Sequence, residues 1–292
     1  MIIIHALNQT FLIGCIALVR PKHWLKNLLI FVPAMYSYNL FTPGVFFSAM
    51  WIFVIFCIIS STIYVLNDVI DVKEDREHPI KCKRPIASGK VTIRQAVIIA
   101  LILFTIAFLL IFMKGDMFVI LLTSIYILLN LAFSFKLKHY AIVDCFCIAM
   151  GFILRIFAGG AAINDIISEW LFLTIMAISL FMAFGKRRGE IMRITDTEAT
   201  RKVLSSYNFD FLNGMIFACA GLSIVFYSLW AMLSIQMMIY TVPLVIFIIC
   251  KYLLIAHNEA SHGDPTSVIF GDKGLIIAIG IFGLLSIILL YM

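Results

Sequence analysis

Runs of roughly twenty apolar residues constrain this chain more than any other feature, because about that many are needed for an α-helix to cross the hydrocarbon of a bilayer. Reading for such runs predicts nine spans, at 24–41, 45–66, 93–113, 117–135, 141–162, 169–185, 212–233, 236–256 and 274–292. One soluble core cannot absorb them. The chain is 63% hydrophobic and 13% charged, where soluble domains run at roughly 45–50% and 25%. Cytosolic globular enzymes, disordered tails and secreted disulfide scaffolds are thereby excluded. The seven cysteines include no Cys-x-x-Cys pair and sit mostly in apolar runs, which reads as packing and not as disulfide or zinc chemistry. The segment Met1–Val19 is apolar but interrupted by His5, Asn8, Gln9 and Thr10, and its basic neighbours Arg20 and Lys22 follow it. It reads as an interfacial helix, with a tenth span as the alternative, and not as a signal peptide. The expectation is an all-α integral membrane bundle of nine transmembrane helices, a single domain over residues 1–292 with 1–19 lying in the interface.

The basic residues give the orientation. Lys73, Arg76, Lys81, Lys83, Arg84, Lys90 and Arg94 follow the second span; Lys136 and Lys138 follow the fourth; Lys186, Arg187, Arg188, Arg193, Arg201 and Lys202 follow the sixth. The opposite connections hold only Lys114, and Arg155 lies inside a span. Cationic loops stay in the cytoplasm, so the N-terminus and the loops 67–92, 186–211 and 257–273 are expected there, with any chemistry on that face. The charge of +6 goes with this topology and calls for no nucleic acid.

The second span runs out into Asn67-Asp68-Val69-Ile70-Asp71-Val72-Lys73-Glu74-Asp75-Arg76. On a continuing helix Asp68, Asp71 and Asp75 are three and then four apart and share one face, with Asn67 four before Asp71. Carboxylates crowded so repel one another unless a cation sits among them. Oxygen-only ligands suit Mg²⁺, which commonly bridges carboxylates to substrate phosphates. The plainer reading is a solvated acidic helix end balanced by Lys73 and Arg76. Growth of the motif straight out of an apolar span weighs against it. Downstream, Lys81, Lys83 and Arg84 suit phosphate oxygens, or serve topology alone. His78 has no second His or Cys at ligand spacing, so zinc is not expected.

Asn67-Asp68-x-x-Asp71-x-x-x-Asp75 followed by Lys83-Arg84-Pro85-Ile86-Ala87-Ser88-Gly89 resembles the first aspartate-rich motif of the UbiA prenyltransferase superfamily. That resemblance implies an intramembrane bundle of nine helices binding a diphosphate through Mg²⁺. Three further stretches resemble its decaprenyl-phosphate phosphoribosyltransferase branch: Arg20-Pro21-Lys22-His23-Trp24-Leu25-Lys26-Asn27, Gly151-Phe152-Ile153-Leu154-Arg155-Ile156-Phe157-Ala158-Gly159-Gly160, and Gly185-Lys186-Arg187-Arg188-Gly189-Glu190. Gly263-Asp264-Pro265-Thr266 is similar to that branch more faintly. Members with aromatic acceptors carry a second Asp-x-x-x-Asp after the sixth span; here Asp196 is followed by Thr200 and Asp210 by Gly214. Lys186, Arg187 and Arg188 head that loop instead, which favours a second anionic substrate over a neutral phenol. One departure is Phe133 in Phe133-Ser134-Phe135-Lys136-Leu137-Lys138, where the branch leads one to expect a tyrosine.

The resemblance implies transfer of a 5-phosphoribosyl group from phosphoribosyl pyrophosphate to a polyprenyl phosphate, releasing pyrophosphate, for cell-envelope glycan precursors at the cytoplasmic membrane. Asn67, Asp68, Asp71 and Asp75 would hold Mg²⁺ on the donor, the three aspartates as metal ligands. Lys22, Lys26, Lys83, Arg84, Lys138, Lys186, Arg187 and Arg188 would clamp phosphates. Arg155 has two readings, phosphate binding or a structural pair with another helix, since an arginine inside a span must be paired or line a wet cavity. Tyr207 likewise reads as part of a donor lid or as an interfacial anchor. Two other functions fit some of these features. An aromatic prenyltransferase would use the same acidic motif but lacks its second one; a transporter of anions or lipids would show inverted-repeat hydropathy, and none is seen.

Overall fold

Apolar residues surround the long helices on all sides, the pattern of helices that meet lipid and one another instead of water. In the computed structural model, which describes residues 12–77, 81–192, 202–257, 268–269 and 271–291, eight helices among the described residues are long and apolar enough to span a membrane. They are α1 (Pro43–Ile70), α2 (Ile93–Lys114), α3 (Met117–Phe135), α4 (Val143–Ala162), α5 (Glu169–Met192), α6 (Phe209–Ser234), α7 (Gln236–His257, opening with a 3₁₀ turn) and α8 (Lys273–Tyr291). The chain is a multi-pass membrane protein. Met1–Phe11, His78 and the Gly263–Thr266 stretch lie outside the described residues.

The first expected span, 24–41, has a different form. Pro21–Phe31 is a 3₁₀ helix of eleven residues, continued by five α-helical residues, Val32–Tyr36. At about 2.0 Å per 3₁₀ residue and 1.5 Å per α residue this segment still extends roughly 30 Å, the thickness of a hydrocarbon core. Three residues per turn also aligns every third side chain. Trp24, Asn27 and Ile30 stand in such a row, and Asn27 and Ile30 are buried.

The chain forms two compact units: Met1–Ala34 with Thr42–Ser134 and Leu154–Asn164, and Met35–Phe41 with Phe135–Ile153 and Asp165–Met292. In the first, Ile30, Ile52, Ile55, Phe56, Ile59 and Ile63 pack with Ala107, Ile111, Val119, Leu122 and Tyr126. Ala96, Ala100 and Ala107 on one side of α2 are nearly unexposed, and small residues there let α2 approach α1 closely. The row from the 3₁₀ segment is bonded onto α1: Trp24 Nε1 donates to Ser61 Oγ at 3.0 Å, and Asn27 Nδ2 to Cys57 Sγ at 3.2 Å and Ser60 Oγ at 3.4 Å. Residues 12–19 are helical, with Leu18 buried and Leu12, Ile13 and Ile16 facing outward.

In the second unit α5 packs along α6. Trp230 is buried beneath the edge of Tyr36, ring centres 4.4 Å apart. The Tyr291 hydroxyl accepts from the Leu40 N–H at 3.0 Å, tying the end of α8 to residues 35–41.

Gly159 on α4 has no room for a side chain, since a Cβ there would overlap the Ile30 carbonyl of the 3₁₀ segment. Gly159→Ala is therefore expected to destabilise by about 1–3 kcal/mol, an overpacking cost. Gly214→Ala on α6, with nothing within 4 Å of its Cβ position, should be neutral or stabilising, because alanine is the better helix former. Thermal unfolding of the two variants in detergent separates these outcomes.

Candidate active site

The acidic motif keeps its helical spacing through a slight break. α1 ends at Ile70, Asp71 caps it at φ −88°, ψ 10°, and Val72–Glu77 is helical again. The i→i+4 bonds run through the junction, from Asp71 N to Asn67 O at 2.9 Å and from Asp75 N to Asp71 O at 2.8 Å. Asp68 and Asp75, two turns apart, therefore face one point, and both are buried. Arg84 meets them there: its Nη1 lies 3.1 Å from Asp68 Oδ1 and 2.6 Å from Asp75 Oδ2. Arg20 Nη2 lies 2.5 Å from Asp68 Oδ1, with its guanidinium 5.1 Å from the centre of the Tyr64 ring. Asn67 and Asp71 are half-buried beside this group.

What carries Arg84 to that place is a small apolar anchor. Ile86 and Val91 are buried with Leu18, Val65, Val72, Ala96 and Ala100, and the turn between them closes through Val91 N to Pro85 O at 3.0 Å. Gly89 takes φ 78° in that turn, a left-handed conformation glycine adopts without strain. Thr92 and Gln95 then form a capping box that starts α2. Arg20, a non-glycine residue at φ 51° directly before Pro21, is held in an unfavoured backbone conformation while its side chain reaches Asp68.

Asp68 Oδ2 is buried without a hydrogen-bond partner, and with Asp75 on the other side of Arg84 it offers carboxylate oxygen, the ligand chemistry that Mg²⁺ takes. The residues fit that ion. Among the described residues no three His, Cys, Asp or Glu side chains converge into a ready-made metal group; the guanidiniums of Arg20 and Arg84 neutralise the carboxylates instead.

Arg155 is buried in the first unit. Its Nε donates to Asn27 Oδ1 at 2.7 Å, its Nη2 to the Tyr126 hydroxyl at 2.6 Å, and the guanidinium lies 4.8 Å from the Tyr126 ring centre. Lys22 and Lys83 are exposed and Lys26 half-buried.

The basic cluster in the second unit divides by helical direction. Arg187 is fully buried, with Nε 2.5 Å from Asp144 Oδ2 and Nη1 paired to Glu190. Arg188 donates to Asn213 Oδ1 at 2.7 Å and to the Ala256 carbonyl at 3.0 Å. Arg187 and Arg188, both expected to clamp phosphates, are thus each bonded to protein partners, as the cost of burying charge requires. Lys186 is half-buried and Lys138 nearly buried. Tyr207, expected in a lid or as an anchor, is buried with its hydroxyl donating to Asp144 Oδ1 at 2.6 Å. The sequence reading missed Arg20, Tyr126, Asn27 and Glu190 as partners. The signals the sequence offers for them are an arginine before proline and an asparagine at the head of an apolar run.

The chain matches the UbiA prenyltransferase family over residues 28–270. It is 37% identical over 227 residues to a decaprenyl-phosphate phosphoribosyltransferase of Mycolicibacterium smegmatis, covering 75% of this chain and 70% of that one. To the protein of the same name in Corynebacterium glutamicum it is 36% identical over 221 residues, covering 74% and 67%. A UbiA homologue from Archaeoglobus fulgidus, solved bound to GPP and Mg²⁺, shares the fold with a TM-score of 0.74 at 14% identity, covering 96% of this chain and 100% of that one.

Burial, and next the bond to Asp144, holds the Tyr207 phenol well above its ordinary value of 10. The unfolded phenol ionises from about pH 10 upward while the folded one stays neutral. Stability is thus fully present below pH 10 and falls as pH rises beyond it. Melting curves between pH 8 and 11 should drop more steeply for the native chain than for Tyr207→Phe, which has no phenol to titrate.

Proposed function

The chain belongs to the UbiA prenyltransferase family, and from that premise we propose that it transfers a 5-phosphoribosyl group from phosphoribosyl pyrophosphate to a polyprenyl phosphate, releasing pyrophosphate. The observation that carries this reading is the pair of buried carboxylates, Asp68 and Asp75, gathered under Arg84 at the end of a membrane helix. The two relatives named decaprenyl-phosphate phosphoribosyltransferase support the choice of substrates. So do Lys186 and Lys138 in the second unit, cations that a neutral acceptor would not call for. The distribution of lysine and arginine supports a site facing the cytoplasm, at the cytoplasmic membrane, with the N-terminus on the same side.

Asp68, Asp71 and Asp75, with Asn67, would hold Mg²⁺ against the donor diphosphate. The ion supplies Lewis-acid stabilisation of charge on the departing pyrophosphate, worth several kcal/mol. The chain's own groups do the rest. Arg20 and Arg84 keep the carboxylates paired until a substrate arrives, then have positive charge to share with its phosphate oxygens. Lys22, Lys26 and Lys83 in the first unit, and Lys138 and Lys186 in the second, supply further cations for two phosphorylated substrates. The bond from the anomeric carbon to pyrophosphate lengthens into an oxocarbenium-like state, and an acceptor phosphate oxygen attacks from the opposite face with inversion. That oxygen is already anionic, so no general base is required. Catalysis is orientation and charge complementarity.

Purified protein given radiolabelled phosphoribosyl pyrophosphate and a polyprenyl phosphate should place label on the lipid. Label absent there, with reaction instead between a prenyl diphosphate and a phenol, overturns the reading in favour of an aromatic prenyltransferase. Asp71→Ala and Asp75→Ala should each lower turnover by about 10³-fold, the loss of several kcal/mol of metal-centred stabilisation. Chelation should stop the native enzyme, and added Mg²⁺ should restore it. In Arg84→Ala, which strips Asp75 of its guanidinium, Mg²⁺ should raise the melting temperature more than it does in the native chain.

A further inference from the structure

Ile142 is a β-branched residue at φ 70°, a left-handed conformation in which its Cβ crowds the backbone. Such a residue persists only where its surroundings over-determine it. One hydroxyl is central to them here: the Ile142 N–H donates to Tyr207 Oη at 2.6 Å, and Tyr207 Oη donates to Asp144 Oδ1, also at 2.6 Å. The Cys145 N–H reaches the same carboxylate oxygen at 2.8 Å. The other oxygen, Oδ2, lies 2.5 Å from Arg187 Nε, and Arg187 pairs in turn with Glu190. Asp144 and Arg187 have no exposed surface, and Tyr207 keeps 7% of its own.

The network joins three separate segments of the second unit: the start of α4, the end of α5, and the chain returning into α6. Its neighbour is the 3₁₀ turn Leu137–His139, which packs against the Lys202–Ser206 turn that leads into Tyr207. That first turn carries Lys138, which is 8% exposed. Only a hydroxyl at the Tyr207 position both accepts from Ile142 and donates to Asp144. Without it the Ile142 N–H loses this partner, and the turn is left to bonds such as Val143 N to Ala141 O at 2.8 Å and Asp144 N to Tyr140 O at 3.1 Å. A change of φ there redirects the chain between α4 and the Lys138 turn.

We propose that Tyr207, Asp144 and Arg187 form a latch that holds Ile142 in its left-handed conformation and so positions Lys138 for a substrate phosphate. Tyr207 and Asp144 are positioning residues in this scheme. The inference rests on the phosphoribosyl-transfer reading only in giving Lys138 a phosphate to hold.

Two measurements on the full chain in detergent test it. The first is acetylation of lysines by an N-hydroxysuccinimide ester, followed by mass spectrometry. Tyr207→Phe should raise labelling of Lys138 by about tenfold, the equivalent of one hydrogen bond, while Lys251, 27% exposed in the same unit, labels as before. The second is turnover. Tyr207→Phe should raise KM for one phosphorylated substrate by a similar factor with kcat little changed, whereas a loss of folded protein lowers kcat at constant KM. Ile142→Gly in the Tyr207→Phe background should reverse both effects, because glycine adopts positive φ without strain. Unchanged Lys138 labelling, or no rescue by Ile142→Gly, overturns the latch. Should Tyr207→Phe not accumulate, Asp144→Asn must shift Lys138 labelling in the same direction. If the native chain forms no phosphoribosyl lipid, the transfer reading fails, and the labelling still decides the latch.

Discussion

A charge inside a bilayer must find a partner or leave, and that constraint shapes both units of this protein. An Asp or Arg at the centre of a membrane helix costs roughly 2.5–3.5 kcal/mol even on permissive scales, and removing one partner of a buried pair costs about 3–5 kcal/mol. The buried ionic side chains obey it. Asp68 meets Arg20 and Arg84, Asp75 meets Arg84, and Asp144 meets Arg187. Arg155 is met by the amide of Asn27 and the hydroxyl and ring of Tyr126. The bonds from Arg20, Trp24 and Asn27 to Asp68, Ser61 and Ser60 form an antiparallel ladder between the first segment and α1. The 3₁₀ form of that segment follows from the ladder, since a three-residue turn keeps Trp24, Asn27 and Ile30 in one straight row where an α-helix would rotate them apart.

Each unit also places a left-handed non-glycine residue beside its buried aspartate: Arg20 at φ 51° next to Asp68, and Ile142 at φ 70° next to Asp144. The two are not sequence repeats of each other. They share a physical solution, in which the chain enters a helical segment from an unfavourable backbone and a carboxylate anchors the entry. Strain of this kind costs on the order of 1–3 kcal/mol per residue, which a buried ion pair within a rigid bundle can sustain. Both occur at the ends of segments where the sequence concentrates its charge. That placement is where pre-organisation serves a reaction that depends on holding two anions in line.

Much of this was legible in the sequence, and the parts that were not share a cause. Helical spans show in apolar runs because hydrophobicity is local, and the eight long helices lie close to the expected ranges. The aspartate spacing was equally local, so the meeting of Asp68 and Asp75 followed from helix period alone. The first segment was mistaken in form because 3₁₀ and α geometry bury the same composition and differ only in rise. The bonds of Arg187 and Tyr207 to Asp144 are not legible in the sequence, because Asp144 is distant in the chain and sits in an otherwise apolar helix, and no spacing rule connects them. Arg155 was left with two readings for the same reason; Tyr126 and Asn27 identify themselves only once three helical segments are packed together.

The stretch Lys186-Arg187-Arg188 shows what packing does to a charge count. Successive residues on a helix point about 100° apart, so three adjacent cations cannot all face one place. Arg187 turns inward to Asp144 and Glu190, Arg188 turns to Asn213 and the Ala256 carbonyl, and Lys186 alone stays half-exposed. Two of the three positive charges are thus spent on holding α4, α5, α6 and α7 together. On the proposed reading, a second anion in this unit meets lysines, compact and mobile point charges. A lysine grips a phosphate well only if the backbone beneath it is fixed. The buried Asp144 network fixes that backbone at the turn bearing Lys138, so the arginine that the sequence offers as a phosphate ligand contributes instead by holding the ground on which a lysine stands.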